Sequence, residues 1–74
     1  MITSGFYLNV EENGFDVYVL FPEWMGEPSK EKLDTIADQV EVVVNEEYTT
    51  ETIVKQKLDK KFALEDYWFV VKYV

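Results

Sequence analysis

The chain has no cysteine, no histidine and no arginine. Without cysteine there is no disulfide, no zinc–thiolate site and no thiol nucleophile, which fits an intracellular protein. Without histidine the commonest general base and the commonest transition-metal ligand are both gone. Without arginine the side chain best suited to reading bases and phosphates is missing. No apolar run approaches the length of a membrane span, and the opening MITSGFYLNVEENG has no basic region before an apolar stretch. A soluble cytoplasmic protein with no signal peptide is expected.

Catalytic groups are scarce as well. Ser4 and Ser29 are the only serines, and no histidine exists to activate either. No glycine-rich phosphate loop is present, and the acids do not follow the spaced ligands of a calcium loop. EENGFD reads as a hairpin turn. Paired carboxylates serve glycoside hydrolysis only inside a cleft, and 74 residues leave little room for one. A non-enzyme with no cofactor and no metal is expected.

What the chain does have is acid and aromatic surface. Fifteen acids face seven lysines, a net charge of −8. Residues 1–54 hold twelve of the acids and two of the lysines, whereas residues 55–74 hold three acids and five lysines. Such a surface repels nucleic acid and anionic membranes and favours basic partners; alternatively it only keeps a small domain soluble. An apolar fraction of 47% with twelve aromatic residues implies a folded domain.

In FYLNVEENGFDVYVLF, two alternating apolar runs flank Asn13-Gly14, the pair preferred by tight type I′ hairpins. That turn sets Val10 opposite Val17 and Leu8 opposite Val19. Phe6, Leu8, Val10, Phe15, Val17, Val19 and Phe21 then form a core face. Tyr7, Asn9, Glu11, Asp16, Tyr18 and Leu20 form the other, where Glu11 and Asp16 stand as like charges directly across the pair, an unfavourable arrangement. The loop PEWMGEP follows, with Trp24 and Met25 at its centre. They either fold back over the core or form an exposed anchor for a partner.

Ser29 is a good N-cap, and Leu33, Ile36, Ala37, Val40 and Val44 keep one apolar stripe through a helix from Lys30 to about Val44. The β-branched run Val40–Val44 also suits a strand. Thr49 or Thr50 caps a second helix, ETIVKQKLDKKFA, with Ile53, Val54 and Leu58 inward and Phe62 near its end. DYWFVVKYV closes the sheet as a third strand, apolar on both sides and so expected to be central or covered on both faces. The expected fold is a single α+β domain over residues 1–74. Its order is β-β-α-α-β, with an N-terminal hairpin and C-terminal strand in one sheet packed against two helices.

The first helix also gathers Glu31, Asp34, Asp38 and Glu41 on one side, with no lysine among them. Acids three or four residues apart lie about 5–6 Å from one another, and the row runs about 15 Å along the axis. That separation is close to the distance between neighbouring phosphates on one strand. A row of this kind can displace counterions from a lysine- and arginine-lined groove as phosphates do, or it is an ordinary solvated face. Glu11 and Asp16 are candidate additions to the same acidic surface.

In acidity and size, over its whole length, the chain resembles the small DNA-mimic inhibitors that phages make against host DNA enzymes. The resemblance is compositional and transfers no individual residue. It implies action in the host cell cytoplasm by a dimer of small subunits. Such a dimer would occupy the basic channel of a replication protein, a sliding clamp in particular, and block DNA access. QKLDKKF offers Gln56, Leu58 and Phe62, but Asp59 stands where a clamp-binding peptide wants an aliphatic residue. Acidic occupation of the channel is therefore the better mode. The alternative is an assembly module that docks through Trp24, Met25, Tyr7 and Tyr18. In either case a homodimer burying Trp68, Val70 and Val74 is expected from the small core.

Overall fold

A computed structural model describes residues 5–74, so Ser4 lies outside the described residues. The elements are β1 (Tyr7–Glu12), β2 (Phe15–Leu20), a single 3-10 turn (Glu23–Met25), α1 (Lys30–Val44), α2 (Glu51–Lys61) and β3 (Trp68–Tyr73). The strands form one antiparallel sheet in the order β1-β2-β3. Both helices pack on one face, α1 beneath β1 and α2 beneath β3. The α+β architecture is the expected one.

Asn13 (φ 53°) and Gly14 (φ 83°) both take the left-handed conformation that a two-residue type I′ turn needs. The turn fixes the anticipated register, Leu8 with Val19, Val10 with Val17 and Glu11 with Asp16. It also reaches the helix layer. The Asn13 amide donates to the Val44 carbonyl at 2.7 Å, satisfying one of the orphan acceptors at the end of α1. In return the Asn45 amide donates to Glu12 at 3.0 Å. Val40–Val44 is therefore helical, its last carbonyl held by the hairpin tip.

The core is built from Val10, Phe15, Val17, Val19 and Phe21 of the hairpin segment against Ile36, Val40, Val43 and Val44 of α1, Val54 and Leu58 of α2, Phe62 and Phe69. Val43 falls outside the anticipated stripe, yet it is buried on the side of α1 nearer α2. Ile53 is only half-buried, because Val54 and Leu58 take the inward line of α2. Phe6 departs from the expected core face at 46% exposed. It precedes the end of an edge strand and has a neighbouring strand on one side only.

The helix ends follow their capping chemistry. Ser29 accepts from the Lys32 N–H at 3.2 Å and Thr50 from the Ile53 N–H at 3.3 Å, so Thr50 rather than Thr49 is the cap. Glu46 sits just past the C-terminus of α1, where the dipole disfavours an acid. Lys57 offsets that cost with an ion pair at 2.7 Å.

β3 corrects one expectation. It is an edge strand and β2 is central, because the chain returns from α2 to pair antiparallel beside β2. The alternating side chains of β3 are mostly apolar both ways, and Phe69 and Val71 are the ones packed on the core. The outer set, Trp68, Val70 and Lys72, lies on the uncovered face. Part of the open edge is blunted: the Tyr73 N–H donates to the Glu51 carboxylate at 2.9 Å, which removes one free donor from strand-to-strand pairing.

Candidate functional site

Glu31, Asp34 and Asp38 are exposed along α1 and Glu41 is half-exposed, with the apolar stripe on the opposite side of the helix. Lys32, Thr35, Ile36 and Gln39 line a cleft toward the end of α2. The acids therefore look outward and away from α2, past edge strand β1. Lys55–Asp59 and Lys57–Glu46 form ion pairs, and among the described residues none of the four acids of the row joins one. No three acids among the described residues come together in a group that could hold a metal ion. The carboxylates form a line, not a cluster.

Glu11 and Asp16 do not belong to that surface. They point to the face of the sheet opposite the helices, so the structure separates the six acids into two groups. Their cross-strand repulsion is also relieved within the chain. The Asn9 amide donates to the Asp16 carboxylate and to the Val17 carbonyl, and Lys72 stands opposite Asp16 on β3. Lys72 Nζ also lies 5.9 Å from the Tyr18 ring centroid. No outside cation is needed to explain the pair, which removes one support for an acidic site there.

The uncovered face is a grid of three rows read across β1, β2 and β3. Tyr7, Leu20 and Trp68 form the first row, Asn9, Tyr18 and Val70 the second, and Glu11, Asp16 and Lys72 the third. Polarity thus rises steadily from one end to the hairpin end. Tyr7 and Tyr18 rings are 5.9 Å apart, and Trp68 is 57% exposed. Two groups that the sequence kept apart, Tyr7 and Tyr18 expected at a docking surface and Trp68 and Val70 expected at a dimer interface, share one face; Val74, exposed, continues beyond it. Sheet register was the missing signal, because pairing of β3 with β2 is not written in either strand alone.

Trp24 and Met25 part company. Met25 packs on the core, whereas Trp24 is 73% exposed on the 3-10 turn. Only Trp24 can serve as an anchor.

The potential over the grid is negative near Tyr18. Its phenol is held above the ordinary tyrosine value, first by the charge of Asp16, then by desolvation, a hydrogen bond with the same carboxylate, and the nearby Tyr7 and Glu11. A negative neighbour disfavours phenolate, so Tyr18 should ionise at higher pH than a free tyrosine. In an ultraviolet titration of Tyr18, Asp16→Asn should bring its midpoint down toward the ordinary value. A midpoint unmoved by that change would mean that Asp16 does not set the potential.

Together these features define a small α+β domain with a carboxylate row on one helix and a separate aromatic-to-acidic sheet face. Comparison with protein-family models, with characterised proteins and with solved structures gives no match.

Proposed function

We propose that the chain is a non-catalytic, acidic DNA mimic. It binds the basic DNA-binding site or channel of a replication protein and blocks DNA access. The observation that carries this reading is the α1 row: four carboxylates in a line on a rigid helix, free of ion pairs among the described residues. A helix capped at both ends holds the backbone spacing of such charges fixed, so that only their side chains need ordering on binding. The resemblance in acidity and size to phage inhibitors points to a host sliding clamp as the target class. Affinity capture from a bacterial lysate, followed by elution with duplex DNA, tests it. A retained DNA-binding protein released by DNA supports the reading. Capture of a partner that DNA does not displace overturns it.

A second reading rests on the sheet grid, where among the described residues no element covers the apolar strip of Tyr7, Leu20 and Trp68. Here the chain is an assembly module and its acidity serves solubility. Salt separates the two, since binding through the α1 row weakens steeply with ionic strength and apolar docking far less.

The β3 side of the same face, Trp68 with the neighbouring Val70 and Val74, is the proposed homodimer contact. Sedimentation at micromolar concentration should give a species of twice 8.7 kDa, and Trp68→Ser with Val70→Ser should return it to the monomer. A wild-type protein that sediments only as 8.7 kDa rules out the dimer.

A further inference from the structure

A cleft of about 510 Å³ opens between the first half of α1 and the end of α2, within the size range of small-molecule sites, about 300–1,000 Å³. Its lining is mixed: the half-buried Tyr67 and small edges of the buried Ile36 and Phe62 are apolar, and Leu64 stands at its rim 98% exposed. Its cations come from both walls: Lys32 from α1, Lys60 and Lys61 from α2. Lys60 and Lys61 join neither the Lys55–Asp59 nor the Lys57–Glu46 pair. Lys32 Nζ lies 5.7 Å from the Tyr67 ring centroid, and Glu65 is the one acid lining the cleft. In a chain of net charge −8, a concave site with three lysines over a partly apolar lining has the opposite sign to the rest of the surface.

We propose that this cleft binds a small amphipathic anion, with an apolar body against Tyr67, Leu64 and the exposed edges of Ile36 and Phe62 and a carboxylate or phosphate head among Lys32, Lys60 and Lys61. A charged head alone gains little from exposed lysines, and an apolar body alone gains no orientation. The two together fit the two-part lining. The site lies on the α2 side of α1, away from the acidic row, and stands independently of the DNA-mimic reading.

Amide NMR titration of the intact chain with decanoate, below its micelle concentration, tests the proposal. Octyl glucoside serves as the neutral amphiphile and inorganic phosphate as the bare anion. Decanoate should shift Thr35, Ile36, Gln39, Ala63 and Leu64 saturably. Octyl glucoside and phosphate should each bind at least about tenfold more weakly, since each supplies half of the contact. Lys32→Gln, Lys60→Gln and Lys61→Gln combined should weaken decanoate by about tenfold or more. The three lysines are exposed, so this variant should keep its wild-type circular dichroism. As a second variant, Leu64→Ser removes apolar contact at an almost fully exposed position and should weaken decanoate while leaving phosphate unchanged. The proposal is overturned by no saturable binding, by shifts centred on Tyr7, Tyr18 and Trp68, by equal affinity for octyl glucoside, or by undiminished binding to the lysine variant.

Discussion

Conversion of Glu31, Asp34, Asp38 and Glu41 to their amides should cost most of the affinity for a DNA-binding target while leaving the domain folded. Each exposed charge pair is worth about 0.2–1 kcal/mol. Four of them together correspond to a loss between about fourfold and nearly a thousandfold. The fold should survive because the four acids repel one another at helical spacings of three and four. Removing their charge offsets the small dipole gain lost at Glu31. Stability should hold or rise slightly, as circular dichroism melting would show.

The salt response is the sharper readout. DNA carries one charge per about 1.7 Å of axis, so about 15 Å of duplex holds roughly nine, whereas the α1 row holds four over that length. The row is thus less than half as dense as the ligand it would replace, and its salt slope should be shallower than that of DNA. The amide variant should flatten that slope further, and Trp24→Ala should leave it unchanged. Titration of the captured target at several ionic strengths, with duplex DNA as competitor, measures both. Full affinity and an unaltered slope in the folded amide variant would reduce the row to solvated surface. The proposed dimer would offset the density deficit, since a second copy would bring a second row.

Asn13→Ala combined with Gly14→Val should destabilise the domain by about 3–5 kcal/mol. The left-handed backbone costs alanine and valine about 1–2 kcal/mol each, more for the β-branched residue. Loss of the bond from Asn13 to the Val44 carbonyl adds about 1–1.5 kcal/mol. A Cβ at Gly14 meets no atom of another segment within 4 Å, so the penalty there comes from the local left-handed backbone. For a domain of this size, with a total stability of about 4–11 kcal/mol, the midpoint should fall by roughly 15–30 °C. Asn13→Gly separates the terms, because it keeps the turn and loses only the amide, at about 1–1.5 kcal/mol. If the double variant melts within a few degrees of the wild type, neither the turn strain nor the bond to α1 matters to stability.

The hairpin, both helices and the acid row were legible because each is written in local spacing: Asn13-Gly14, Ser29, and acids three and four apart. Contacts that join distant segments were not. The pairing of Asp16 with Lys72, the placement of β3 at an edge and the merging of Tyr18 with Trp68 depend on which strand β3 joins, and a strand mostly apolar on both faces does not announce its neighbour. The lysine cleft was hidden for the same reason. Lys32 sits in one helix and Lys60 and Lys61 in the other, so only the packing of α1 against α2 brings them together.

The hairpin tip also sets how the protein ages. Asn-Gly pairs lose the side-chain amide more readily than other asparagine pairs, since glycine leaves the following nitrogen free to attack the side-chain carbonyl and expel ammonia, after which water opens the cyclic imide to a carboxylate. At Asn13 that loss would replace the donor facing Val44 by a carboxylate, setting an anion against the negative end of α1. Storage in warm, alkaline buffer would then accumulate a species one charge more acidic and less stable, with its damage at the joint between sheet and helix.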